Sequence, residues 1–487
     1  MTEATNISSN QFSTNATPVD QAENTDASTS SSYLNRVAKS LSDEDVRKFF
    51  EIDSTVAWIL KNNFQRVALQ FPDPLLYSCV KITRLLEAEA KCKTFVLADT
   101  SYRSCCVDEV AAAHSSCDAI VHYGDACLST PTNNVPVKYV LCHLPIDSAE
   151  FETKLEQNLG KTIDSDFILL LVDSIYSHAT KELIRILSKL LPDKPIECAE
   201  VVDLDDFSAT SQTKEDVYLG RRLPADFKTS SEVGVVFVGA IESPFLPLWL
   251  MSYPQCSSVV HFDPSTNEIR HEVAKSTRQL RKRLFLVEKL KDANTVGLII
   301  GSMGVHGHRE AVQRMRNLCK AAGKKIYVIS VGKVNVAKLS NFASDIDVFV
   351  LISCPFGVIL DSSEFYKPVL SFFEAEMALN PSKAWAAHGD WTADFGAFLA
   401  DEIGATKIDD DDHGDVSLIS GRVRTANPAK NVAEASSSDA NGAVSLYTAG
   451  DYFAQRSWKG LDDTIRVGDD TTVRQGRSGI AQSYQGK

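Results

Sequence analysis

The chain is short of positive charge. Its 64 acidic residues outnumber 50 Lys and Arg, for a formal net charge of −14, so generic attraction to a phosphate backbone is disfavoured. No uninterrupted apolar run approaches the ~18 residues of a membrane span. No Cys-x-x-Cys pair occurs, which leaves a zinc knuckle or a plant-type ferredoxin without support. The first 32 residues lack the basic and apolar regions of a secretory signal. They are rich in Ser, Thr and Asn and poor in aliphatics, so residues 1–41 are expected to form a disordered tail. The 11 cysteines are odd in number and scattered over 487 residues. That is not a disulfide framework, and a reducing compartment such as the cytoplasm fits better.

What is present reads as a soluble α/β protein. Length alone suggests roughly three domains of ~150 residues. Ser42-Asp-Glu-Asp45 is a capping-box pattern opening a helix, and Thr55–Asn63 is helical. Arg66–Gln70 is a strand, Leu75–Glu89 a helix, and Thr94–Ala98, Ala119–Val121 and Lys138–Cys142 are further strands. Strand and helix alternate, as in parallel βαβ units. A second unit carries the apolar runs Phe167–Val172, Val233–Val238 and Ser258–Phe262. A third carries Thr295–Ile300, Lys325–Val331, Asp347–Ser353 and Lys367–Phe373. We expect an α/β fold of three similar βαβ-type domains with parallel sheets. The divisions are a tail 1–41, domains 42–148, 149–266 and 267–400, and an acidic, flexible C-terminal tail 401–487. A long helix over Asn267–Lys291, basic through Arg270, Lys275, Arg278, Arg281, Lys282 and Arg283, leads into the third unit. It reads as a solvated face or as a docking surface for an anionic group. The glycine-rich turn Gly301–Gly307 fits neither nucleotide-binding pattern and reads as a tight strand-to-helix connection.

Phe95–Thr130, FVLADTSYRSCCVDEVAAAHSSCDAIVHYGDACLST, is the stretch on which the chemistry turns. Cys105 and Cys106 follow one strand and Cys127 follows the next, at the carboxyl edge where open α/β sheets bind ligands. Cys354 has the same placement after Asp347–Ser353, 227 residues beyond Cys127. Cys79, Cys92, Cys142, Cys198 and Cys319 lie among aliphatics, where cysteine behaves as a small hydrophobe. If the units pack around one centre, strand-end thiols from two of them can meet there. Three thiolates can hold a four-iron, four-sulfur cluster and leave one iron open; the alternative is loop thiols with no ligand.

LADTSYRSCCVDEVAAAHSSCDAIVHYGDACLS and LISCPFGVILDSSEFYKPVLSFFEAEMAL resemble the first- and third-domain cores of the diphthamide synthesis family. RSWKGL in the tail resembles the family's C-terminal end. The resemblance implies three α/β domains arranged around a central iron–sulfur site. It implies the first step of diphthamide biosynthesis: a 3-amino-3-carboxypropyl group passes from S-adenosylmethionine to a histidine of elongation factor 2 by 4Fe-4S radical chemistry. By the resemblance the metal ligands are Cys105, Cys127 and Cys354. Cys106 competes with Cys105, which the family pattern Tyr-x-x-Cys favours through Tyr102. Adjacent side chains in an extended segment point apart, so one of the two is expected to face the cluster. His122 reads either as a hydrogen-bond donor behind the ligands or as a packed strand-end histidine.

Catalytic relatives also place a cysteine in the second domain shortly before Ser-Pro. Here Val238–Pro244 carries Ala240 and Ile241 at that place, and neither can ligate iron. That departure implies the supporting subunit of a heterodimer, whose cluster keeps the partner's cluster reduced. The implied partners are the homologous catalytic subunit, diphthamide biosynthesis protein 1; elongation factor 2 as substrate; a small iron-binding electron donor; and a J-domain protein. A self-sufficient catalytic enzyme and a scaffold without a cluster are the alternatives. No membrane or direct nucleic-acid partner is implied.

Overall fold

The computed structural model describes residues 29–97, 104–128, 135–159, 165–202, 217–230, 232–271, 275–383, 385, 391–404, 415–419, 421 and 423–424. Three sheets follow one another along the chain. The first contains β1 (Arg66–Gln70), β2 (Lys93–Leu97), β3 (Ala119–Tyr123) and β4 (Val137–Val140) in the order β2-β1-β3-β4, all parallel. The second begins with β5 (Phe167–Val172) and β6 (Ile196–Cys198). A small antiparallel sheet of β7 (Glu200–Val201), β8 (Val217–Tyr218) and β9 (Arg221–Arg222) interrupts it. It resumes with β10 (Val233–Val238), β11 (Cys256–Asp263) and β12 (Glu268–His271), in the order β12-β11-β10-β5-β6. The third contains β13 (Thr295–Ile300), β14 (Lys325–Ser330), β15 (Val348–Ile352) and β16 (Val369–Ser371), in the order β14-β13-β15-β16.

The three sheets share one topology. Numbering the four parallel strands of each in chain order, all run second-first-third-fourth; the second sheet adds β12 antiparallel at its edge. β5 and β10 are buried at every position, as expected of parallel strands covered on both faces. The chain is thus α/β with repeated parallel sheets, as the alternating pattern implies.

Several elements differ from expectation. The stretch read as a structureless tail contains a helix, Thr29–Ser40, whose Leu34 packs against the cores of both the first and second units. Ser42 caps the next helix, Asp43–Phe49, its Oγ accepting from Asp45 N–H at 3.2 Å. The long basic helix begins at Lys275, not Asn267, because Glu268–His271 pairs with β11. The turn into β12 places Asn267 in the left-handed region, φ 56°, with its N–H on Asp263 O at 2.8 Å. Within that helix Arg283 is buried and paired with Glu374 at 3.5 Å, while Lys282 meets Asp361 at 2.5 Å. It is therefore not simply a solvated face.

The apolar run read as the strand Lys367–Phe373 is split. Ser371 and Glu374 form a capping box that turns the chain into the helix Phe372–Leu379. Trp391, Phe395 and Phe398, beyond the last regular pattern, are buried in the same core. The Asp409–Asp412 run, Tyr102 and the RSWKGL segment lie outside the described residues.

One apolar core contains Cys105, Cys106 and Cys127 of the first unit, Leu169, Phe237 and Trp249 of the second, and Cys354 and Phe356 of the third. Two glycines allow the units to close. A Cβ on Gly304 would overlap the Val107 carbonyl, and one on Gly220 would overlap the Leu128 side chain.

Candidate metal centre

Four thiols meet where the units converge. The Sγ atoms of Cys105, Cys106, Cys127 and Cys354 all lie within 4.8 Å of one another, and all four residues are buried. Cys106 and Cys127 are 4.0 Å apart, sulfur to sulfur. Cys127 lies just past β3 and Cys354 just past β15, the third strands of the first and third sheets. Cys105 and Cys106 lie in the connection from β2 to the helix Glu109–His114, which Asp108 caps by accepting from Ala111 N–H at 2.9 Å.

The adjacent thiols do not point apart. Ser104–Cys106 is a turn rather than an extended strand, so the alternation that would separate them does not apply. Both enter the group. The Cys105 thiol is pushed well above its ordinary range by hydrogen bonding with Cys106, Cys127 and Cys354 and by burial. The Cys106 thiol is also raised: Cys105 opposes the shift, and Cys127, Cys354 and burial outweigh it. Protonated, mutually hydrogen-bonded thiols must lose protons to bind a metal, so uptake releases protons and strengthens with pH. An all-sulfur, water-poor donor set suits soft or borderline metals and iron–sulfur clusters rather than calcium or magnesium.

His122 is fully buried on β3, and its Nε2 lies 2.9 Å from Ser104 O. A carbonyl only accepts, so Nε2 carries the proton. Burial lowers the His122 pKa, keeping the ring neutral. It thus donates to the backbone of the cysteine turn. Of the cysteines read as small hydrophobes, Cys92, Cys142 and Cys319 are buried and Cys79 and Cys198 partly so.

The second unit brings no thiol to the centre among the described residues. Its third strand, β10, runs out into Gly239 and Ala240. Ala240 N–H donates to Asp173 Oδ2 at 3.1 Å, and Ser243 Oγ donates to Asp173 Oδ1 at 2.8 Å. Arg221, 1% exposed, is carried inward by β9. Its guanidinium lies 4.8 Å from the Phe245 ring centroid and donates to Val172 O at 3.0 Å and Ser174 Oγ at 3.2 Å. Burial, and then the Asp125 charge, raise Asp173 to about 7 despite Arg221. Asp125 keeps contact with solvent, yet the surrounding protein mass raises it to about 6, with Arg221 opposing and Cys127 adding. Sequence reasoning missed this charged group. Arg221 lies in a polar insert, with no pattern marking it as an interior residue. Asp125 and Asp173 could have been flagged as strand-end carboxylates.

Residues 71–391 match the family model described as "Putative diphthamide synthesis protein". The chain belongs to the diphthamide synthesis family. It is 50% identical over 482 residues to 2-(3-amino-3-carboxypropyl)histidine synthase subunit 2 of Caenorhabditis elegans, covering 98% of each chain. The protein of the same name from Xenopus laevis is 38% identical, over 91% of this chain and 93% of its own. That from Schizosaccharomyces pombe is 34% identical, over 91% and 92%. The fold is similar to crystal structures of Dph2 from Pyrococcus horikoshii. The structure described with a 4Fe-4S cluster has a TM-score of 0.52 and 20% identity, covering 70% of this chain and 94% of the other. Among the described residues, no helix is long and apolar enough to cross a membrane.

Proposed function

We propose that this chain is the supporting subunit of the heterodimer that performs the first step of diphthamide biosynthesis. That step transfers a 3-amino-3-carboxypropyl group from S-adenosylmethionine to a histidine of elongation factor 2. The chain works beside the homologous catalytic subunit in the cytoplasm, drawing electrons from a small iron-binding protein with a J-domain protein in attendance. In this reading Cys105, Cys127 and Cys354 hold a 4Fe-4S cluster, and residues 42–148, 149–266 and 267–400 are the three domains around it. When bound, the cluster supplies an electron, here to keep the partner subunit's cluster reduced. The chain's own residues bury it, exclude water and supply the thiolates.

One observation carries the reading. The first and third units bring thiols to a common point, and the second, whose equivalent strand runs out into Gly239 and Ala240, brings none among the described residues. Relatives named as subunit 2 of the synthase support it.

The test is anaerobic reconstitution of the full chain. Iron and acid-labile sulfide are counted and the dithionite-reduced electron paramagnetic resonance spectrum recorded, for wild type and each single Cys→Ser variant. Cys127→Ser and Cys354→Ser should lose most of the iron, and comparison of Cys105→Ser with Cys106→Ser identifies the ligand of that pair. Product formed on elongation factor 2 by the chain without its partner would sink the supporting role. A chain that takes up no iron, with activity of the complex surviving Cys127→Ser and Cys354→Ser, would make it a scaffold.

The 4.0 Å sulfur separation favours a second reading. Thiolates ~2.3 Å from one tetrahedral ion lie about 3.8 Å apart. A single ion on all four thiols would bring metal without acid-labile sulfide, which the same assay reads.

A further inference from the structure

The cysteine turn is held by side chains that lie outside it. Gln70, the last residue of β1, is 1% exposed, and His122 on β3 is fully buried. The two are partners in register across the parallel β1–β3 ladder, so their side chains leave the sheet together. Gln70 Nε2 donates to Cys106 O at 2.7 Å, and Gln70 Oε1 accepts from Asp108 N–H at 3.0 Å. His122 Nε2 donates to Ser104 O at 2.9 Å. Between them, Cys127 N–H donates to Cys105 O at 3.2 Å. Three successive carbonyls of the turn, those of Ser104, Cys105 and Cys106, are each occupied by a donor from the β1–β3 side of the first unit.

Cys105 and Cys106 are buried, Ser104 is exposed with its bond to His122 part-buried, and the turn's conformation depends on these acceptors being satisfied. A turn carrying two adjacent thiols has no ladder of its own to hold it. Without the donors it would swing toward solvent and take Cys105 and Cys106 away from Cys127 and Cys354. Gln70 also spans Val107, whose carbonyl lies against Gly304 of the third unit. Its grip therefore bears on the junction that brings Cys354 in.

We propose that Gln70 and His122 are positioning residues that preset the cysteine turn, so that the protein fold rather than the metal aims the Cys105 and Cys106 thiols into the centre. The metal part of this proposal rests on the reading of the four thiols as a metal site; the backbone part does not.

Two arms test it on the full chain. In the first, hydrogen exchange is followed by mass spectrometry with a chelator present. The peptide spanning 104–114 should exchange at least about tenfold faster in Gln70→Met and His122→Met than in wild type, because fixed donors and acceptors are removed. His122→Gln keeps an N–H at the place of Nε2 and should restore protection. In the second arm, cobalt(II) is titrated anaerobically and thiolate-to-metal charge-transfer absorption is read. The Met variants should bind cobalt about 10–100-fold more weakly and with altered absorption, the range typical for groups behind metal ligands. His122→Gln should return toward wild type.

Unchanged exchange in both Met variants overturns the clamp. So does wild-type cobalt affinity and spectrum in variants whose exchange has changed, because the turn would then not need presetting. If His122→Gln fails as His122→Met does, the His122 part is overturned in favour of ring packing. Wild type binding no cobalt at all would sink the metal-site reading and the metal part with it, and the exchange arm would still decide the backbone part.

Discussion

Asp173→Asn should lower stability in acid and raise it above neutrality. Asp173 is 9% exposed at the end of β5. Its carboxyl rises from the ordinary 3.8 to about 7, through burial first and then the Asp125 charge, with Ser243, Ala240 and Arg221 opposing. Near pH 3 the folded and unfolded chains both hold this proton, and the group contributes no slope. From 3.8 to about 7 the unfolded chain has released it and the folded chain has not, so stability falls as pH rises. Above the folded value the loss is complete. At 1.36 kcal/mol per pH unit, the full window corresponds to roughly 4 kcal/mol. Asn cannot ionise and escapes that loss. It also gives up one of the two hydrogen bonds accepted from Ala240 and Ser243, a cost of about 1 kcal/mol. The variant should therefore be about 1 kcal/mol less stable than wild type near pH 4, and about 3 kcal/mol more stable near pH 8. Urea midpoints of the full chain at the two pH values, with chelator present, measure the difference. A wild-type-to-variant gap that does not change between them would refute the reasoning.

Gly220 has φ +69°, and a Cβ there would overlap Leu128 beside Cys127. Gly220→Ala should cost about 1–3 kcal/mol in urea unfolding and lower the iron retained per chain; an unchanged midpoint would contradict this. Arg314, paired with Glu376 in the third unit, holds a carboxylate that is 0% exposed. Arg314→Met alone should cost about 3–5 kcal/mol, and Glu376→Gln added to it should recover part of that, read as thermal midpoints of the three proteins. Trp391 Nε1 donates to Glu374 Oε1 at 2.9 Å inside the core. Trp391→Phe should destabilise by about 1–3 kcal/mol through the buried acceptor it leaves behind, and tryptophan fluorescence-detected unfolding would show no shift if that bond is dispensable.

The sheets were legible because parallel strands buried on both faces leave unbroken apolar runs, as in Phe167–Val172 and Val233–Val238. Cys127 and Cys354 were legible for a related reason: each lies within four residues of a strand's end, and the topology carries strand ends to one edge. Side-chain direction in a turn was not legible. Cys105 and Cys106 both face the centre because residues 104–106 bend, and a bend leaves no period in the sequence. The capping box at Ser371 and Glu374 was visible as Ser-x-x-Glu, but it was hidden inside an apolar run that also reads as a strand. Gln70 shows only as a polar residue closing an apolar strand. Its meaning depends on a turn 36 residues away, and no local rule connects the two.

The second unit departs from the other two just past its third strand. All have the same strand order, so each has an equivalent third-strand end. Two of those ends deliver sulfur. The other runs out into Ala240, whose N–H is committed to Asp173, with Arg221 supplied from the small β7-β8-β9 sheet. Near pH 8, above the value of about 7 at which Asp173 ionises, a thiolate there would add negative charge next to the Asp173 carboxylate that accepts from Ala240 N–H. A cysteine at position 240 would then have its ionisation opposed by that charge as well as by burial. At that pH, restoring the missing thiol by Ala240→Cys alone is expected not to add a metal ligand unless Asp173 is also neutralised. Iron content and the reduced resonance spectrum of Ala240→Cys, compared with Ala240→Cys/Asp173→Asn, decide it. A changed spectrum in the single variant would show that the geometry of the strand end, not its charge, is what sets the second unit apart.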